Sequence, residues 1–438
     1  MRFYPFSFAV TLFLVILLLS APSTLRADEP GATQPAANKP LQARLNWAER
    51  FAINQLTRQI NSAQLKRTLF AHQAYWLSQN AQYDQALKTF LQALEQDKTS
   101  VAILLSRGYT LSSMGHYDKA IADFSKVVQI DPDNSEAYLD RGYAYSSKQD
   151  FDNAIRDFNK TIAINPANTQ AYHNRAYAYA MKGDHLQAMR DYSLVIQREP
   201  NNALAYSGRG TGYNYQGEYD WAIRDFDKAI ELDPNQADAY DGRGYAYSMK
   251  GNQDKAIPDF DRAIKLNPDN QYGYHHRGYA YSEKGKLDKA LKDYDHAIEL
   301  APKDGTIYHS RGYIYCIQGD QDKAIKDYTK AIELDPDNSL AYHNRGHSYM
   351  LKDNFDQAIR DCDKAIELNP QSAAAYITRG YAHFKNDDND LAVRDYTMAI
   401  ALDPDNPAAY DYRAFSYDML GEHDLAVKDR EQAQRLRK

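Results

Sequence analysis

Nine prolines recur at one interval: Pro132, Pro166, Pro200, Pro234, Pro268, Pro302, Pro336, Pro370 and Pro404 are each 34 residues apart. No other feature of the 438-residue chain constrains its fold as strongly. A fixed period of this size marks a solenoid, in which each copy is one supersecondary unit and stacked neighbours bury a continuous core. With the proline numbered position 32, copies begin at residues 101, 135, 169, 203, 237, 271, 305, 339, 373 and 407. A worn copy spans 67–100. It keeps Phe70, Ala74, Ala86, Phe90 and Ala93 at positions 4, 8, 20, 24 and 27, but Lys98 replaces the proline. About eleven units result, and the last ends short at Lys438.

Each copy reads as two helices. In the copy at 305, positions 4, 8 and 11 (Tyr308, Gly312, Tyr315) form one face of helix A, and Ala324, Tyr328 and Ala331 form the inner face of helix B. Glycine at position 15, as in Gly319, suits a left-handed residue that ends helix A. Aspartate at position 18, as in Asp322, is expected to cap helix B, and position 34, as in Asn134, Asn338 or Ser372, to cap the next helix A. Position 8 is glycine in eight of the ten clear copies. A mid-helix glycine costs about 1 kcal/mol against alanine, so close helix contact is expected there. The invariant alanine at position 20 is the expected partner. Position 7 is arginine and position 23 aspartate in all ten clear copies, while the worn copy has Gln73 and Thr89 instead. Joint presence and joint absence point to an Arg–Asp bridge inside each unit. The alternative is an anion-binding arginine stripe.

Aromatic 4, small 8, tyrosine 11, alanine 20, aromatic 24, small 27 and proline 32 together resemble the tetratricopeptide repeat (TPR), over residues 67–438. The resemblance implies an all-α fold, a right-handed α-solenoid of antiparallel helix pairs with a groove lined by the A helices. It also implies that position 9 faces the groove, here Tyr109, Tyr143, Tyr177, Tyr245, Tyr279, Tyr313, His347 and Tyr381. Positions 5 and 6, which face it too, include His173, Asn174, His275, His276, His309, His343 and Asn344. The asparagines fit the family's peptide clamps, but the clamp lysines at position 5 are missing, which argues against capture of a terminal carboxylate. His343 and His347 lie one turn apart with no third ligand evident, so no metal is expected.

Ahead of the repeats, Arg2 precedes the apolar run Phe8–Leu19, interrupted only by Thr11, and small residues follow to Ala27. That is the form of an export signal over 1–27. The run is shorter than the roughly 20 residues a spanning helix needs, so cleavage is expected rather than a retained membrane anchor. Export to the periplasm or outside the cell follows, as in exported bacterial proteins of this kind, with no membrane span after cleavage. Residues 28–40, with three prolines, read as a disordered linker, and 41–66 as an amphipathic helix covering the first repeat.

The chain carries a mild acidic excess, net −7, and no long basic run, which disfavours nucleic acid as a partner. Its two cysteines, Cys316 and Cys362, fall at different repeat positions and are expected to stay free. No metalloprotease, nucleophile-elbow, P-loop or dinucleotide motif is present, so neither an enzyme nor a cofactor is expected. The sequence therefore points to a non-catalytic scaffold that holds a partner protein or extended peptide in a tyrosine-lined groove. The alternative is a factor that binds cell-envelope polysaccharide on the same rings.

Overall fold

A computed structural model describes residues 82–437. The expected signal, linker and N-terminal helix, and residues 67–81 of the worn repeat, lie outside that range. The described chain is helical and divides into two compact units, one up to Arg198 and one from Glu199. The first holds Tyr83–Gln96, which is helix B of the worn repeat, and then the helix pairs of the repeats at 101, 135 and 169. The second holds the seven pairs from Ala203–Tyr215 to His423–Leu436. In both, the two helices of a repeat pack antiparallel, and each helix B packs on the following helix A. Successive A helices also lie against one another, so they share one face of each unit.

Local chemistry sets the boundaries. Helix A occupies positions 1–13, and position 15 then turns left-handed in every one of the ten copies. Seven of these residues are glycine, and Gln149, Asp353 and Asp387 adopt the same positive φ without being glycine. The residue at position 34 caps the next helix A as expected: Asn134 accepts from the Ala137 amide, Asn338 from Ala341 and Ser372 from Ala375. Helix B differs from expectation. It starts at position 17, so the cap is position 16, where Asp150, Asn252, Asp320 and Asn354 accept from the amide three residues on. Position 18 sits in the first turn, where its charge complements the helix dipole. It reaches the next repeat instead: Asp118, Asp152, Asp220, Asp254 and Asp322 bond Lys148, Lys182, Lys250, Lys284 and Lys352 respectively.

The position-8 glycine also has a different partner from the one expected. A Cβ on Gly142 would stand 2.7 Å from the Phe158 ring, and one on Gly278 2.8 Å from the Tyr294 ring. The close approach is therefore first to the aromatic at position 24 rather than to Ala154 or Ala290 at position 20, whereas a Cβ on Gly346, which has no ring opposite it, would meet the Ala358 carbonyl of position 20 at 3.2 Å. Those rings are the largest fully buried side chains, Phe124, Phe158, Phe226 and Phe260 among them. Burying each contributes on the order of 2–3 kcal/mol, which exceeds the helix penalty of the glycine beneath. Cys362 takes the ring's place in the repeat at 339, and both cysteines are free. Pro258 leaves its helix, Gln253–Leu266, continuous, and so does the glycine-rich run from Gly208 to Gly212 within Ala203–Tyr215.

Candidate functional site

The invariant arginines are fully engaged. All ten position-7 guanidinium groups donate through Nε and Nη2 to the position-23 carboxylate of their own repeat, for example Arg311 to Asp327 at 2.7 and 2.8 Å. The carboxylates are nearly inaccessible (Asp123 3%, Asp327 5%), and the arginines about one-fifth exposed or less. The bidentate geometry with Asp327 holds the Arg311 guanidinium charged well beyond any accessible pH. Nη1 then reaches back to position 25 of the preceding repeat: Arg243 to Asp227, Arg277 to Asp261, Arg311 to Asp295, Arg379 to Asp363. Tyrosines at positions 4 and 11 flank each side, as Tyr308 and Tyr315 do Arg311 at 5.7 and 5.8 Å. The ladder runs within repeats as the sequence indicated, and these arginines form no open anion stripe.

Position 9 is open. Tyr109, Tyr143, Tyr177, Tyr279 and Tyr313 are exposed on the A-helix face, between 39% and 54%. Phe415 joins them, while Tyr245, His347 and Tyr381 are half-buried. Tyr245 leans on His276, and Tyr381 meets Tyr412 edge-on. Burial raises the Tyr279 hydroxyl, with Glu283 and Tyr313 adding to it, so the ring stays neutral. The same face carries residues that the repeat pattern did not single out. Leu204, Tyr272 and Leu340 at position 2, and Tyr215, Ile317, Leu351 and Met419 at position 13, are exposed as well. The spacing 2, 9, 13 is one helical stripe, and that was the available signal.

Positions 5 and 6 are bonded to each other between repeats. In the second unit Asp241 meets His276 at 3.0 Å, His275 meets Ser310 at 3.0 Å, His309 meets Asn344 at 2.9 Å and His343 meets Thr378 at 3.2 Å. Each pair spans 35 residues, position 5 of one repeat to position 6 of the next. Burial pushes His275 and His343 down to about 4, helped by His276 and His347 in turn, and lowers His309 and His347 too. All four are neutral at pH 7. In the first unit His173 packs edge-on against Tyr192, and Asn174 accepts from Gln170. His343 and His347 lie with ring centroids 6.5 Å apart, and no group of three metal-ligating side chains occurs among the described residues. Away from this stripe, a cavity of about 340 Å³ opens beside His383, which replaces the usual position-11 tyrosine, next to Leu391 and Met398.

Face, ladder and hairpin geometry define a helical-repeat scaffold. Profiles described as TPR repeat match residues 108–149, 142–183, 278–316 and 312–353. Others described as tetratricopeptide repeat match 203–236, 237–270 and 339–372, 89–122 and 260–292, and 169–202 and 373–406. Together they cover 89–406 without a gap, and the chain belongs to the tetratricopeptide repeat family, whose repeats serve as protein–protein interaction scaffolds. No curated protein sequence matches it. Among solved structures it is similar to the APC/C hetero-tetramer Cut9–Hcn1, at 15% identity over 85% of this chain and 97% of that one, with a TM-score of 0.53. A tetratricopeptide repeat protein from Parabacteroides merdae ATCC 43184 aligns at 22% identity over 56% of this chain and 97% of that one, TM-score 0.48. The TPR protein YrrB aligns at 25% identity over 42% and 96%, TM-score 0.37.

Proposed function

We propose that this protein is a non-catalytic scaffold that binds an extended segment of a partner protein along the tyrosine-bearing A-helix face, after export from the cytoplasm. The observation that carries this reading is the contrast between positions 7 and 9. Two residues apart, on different sides of helix A, the arginine is locked into the fold while in six of the ten repeats the position-9 ring stays exposed, as Arg311 and Tyr313 show. A ring half in solvent contributes little to stability, whereas rigid aromatic side chains are well suited to interface anchoring. Export is supported by the N-terminal sequence, and the mature chain would begin near Asp28.

Tyr279→Ala combined with Tyr313→Ala tests the reading. The double variant should lose capture of cell-envelope proteins at least tenfold, with its melting temperature changed by only a few degrees. Unchanged capture would place the site elsewhere. Retention of protein capture with loss of binding on a polysaccharide array would instead favour the envelope-glycan role. Mass spectrometry of the mature N-terminus checks export, and an intact Met1 on secreted or periplasmic material would refute cleavage.

A further inference from the structure

We propose that the A-helix face of the first unit receives a cationic protein segment: Asp140 and Glu136 take a lysine or arginine side chain, and Tyr109, Tyr143 and Tyr177 are the rings beside it. This rests on the scaffold reading above and specifies the chemistry of the partner.

Asp140 is the starting point. It stands at position 6 of helix Ser135–Ser147, half-buried, and makes no hydrogen bond or ion pair among the described residues. The register of the second unit explains why. There an acid on this stripe, Asp241, finds His276 across a 35-residue step. The same step back from Asp140 leads to Leu105, which packs into the core instead. The charged group that does act on Asp140 is Glu136, one turn earlier and exposed. Burial first, and Glu136 second, raise the Asp140 carboxyl to about 6. A half-buried carboxylate with an acidic neighbour and no counter-ion is costly to keep, and a cation brought by a partner removes that cost.

Among the described residues the A helices do not supply that cation. On the three described A helices of this unit the only lysine or arginine side chains are Arg107, Arg141 and Arg175. Each is bidentate to its own aspartate, and Arg141 and Arg175 bond Ser125 and Asn159 as well. The other exposed groups on these helices are Glu136, the three rings and uncharged side chains such as Gln170 and Met181. Tyr109, Tyr143 and Tyr177 are 49%, 54% and 48% exposed at one helix position of three adjoining helices. Ring faces attract ammonium and guanidinium groups, while an anionic segment would meet Glu136 and Asp140 with nothing to neutralise it.

The test uses the full mature chain and fluorescein-labelled 12-residue peptides, (Lys-Gly-Ser)4, (Glu-Gly-Ser)4 and (Gln-Gly-Ser)4, followed by fluorescence anisotropy at low salt. The lysine peptide should bind at pH 7.5 at least tenfold more tightly than the other two, and weaken as salt rises. Asp140→Asn should weaken it about tenfold, and so should lowering the pH to 5, where Asp140 takes up a proton. The variant should lose that pH dependence, which a merely structural role would not explain. Because Asp140→Asn removes a desolvated charge, its melting temperature should hold or rise, so weaker binding cannot come from unfolding. Equal binding of all three peptides, or an unaffected Asp140→Asn variant, overturns the inference. A chain that ignores the lysine peptide yet captures a partner through Tyr279 and Tyr313 also overturns it, while leaving the scaffold reading intact.

Discussion

Gln149 stands where seven of the ten repeats place glycine, at the left-handed residue that closes helix A. That conformation costs an L-residue with a side chain about 1–2 kcal/mol, because Cβ crowds the carbonyl oxygen. Gln149→Gly should therefore stabilise the chain by about 1 kcal/mol, read as a rise in the urea midpoint, and Gly319→Gln should lower it by a similar amount. No change in either would mean that the turn is held by its neighbours rather than by local preference. Single residues were the most legible scale in the sequence where one residue type is required. The position-15 glycines and the position-34 caps announced themselves in this way. The helix-B cap did not, because Asp, Asn, Glu, Lys and His all occupy position 16, and the regular aspartate two residues on drew attention instead.

Between elements the sequence offers two acidic residues per repeat that look alike and act differently. Asp157 is buried in a bidentate bond with Arg141, whereas Asp118 reaches Lys148 of the next repeat in open solvent, its side chain 82% exposed. Removing one partner of a buried pair strands a charge and costs about 3–5 kcal/mol, while an exposed pair contributes under about 1 kcal/mol. Asp157→Ala should accordingly lower the urea midpoint steeply and Asp118→Ala hardly at all. Equal effects would show that the ladder carries no more stability than the surface bridges. The ladder could be read in advance because both of its residues are invariant across ten copies and both are missing from the worn one. The 35-residue steps from position 5 to position 6 could not. Their members are Asp–His, His–Ser, His–Asn and His–Thr, so only the offset repeats. Read from the sequence, those histidines were groove-facing groups; in the structure they first of all tie one A helix to the next.

In a solenoid, stability is close to a sum of repeats and their nearest-neighbour interfaces, so local titrations should appear locally. The two units carry opposite ones. His275 and His343 are held near 4 in the fold against about 6.5 in an unfolded chain. Between those values the unfolded state binds more protons, so stability falls as pH drops from about 6.5 to 4, by on the order of 2 kcal/mol for each histidine once residual exposure is allowed for. Asp140 has the reverse sign. Its folded value near 6 lies above the ordinary carboxylate value, so the folded state binds the extra proton and helix Ser135–Ser147 gains stability as pH falls from about 6 to 4. Hydrogen exchange, corrected for its intrinsic pH dependence, should then show protection declining between pH 7 and 5 in helices Gln271–Glu283 and Ser339–Leu351 while it holds or rises in Ser135–Ser147. A uniform loss across both units would mean that the histidine steps are not what holds the second unit's A helices together at neutral pH. The opposite trends would make acidification a way to loosen the A-helix face of one unit while discharging that of the other.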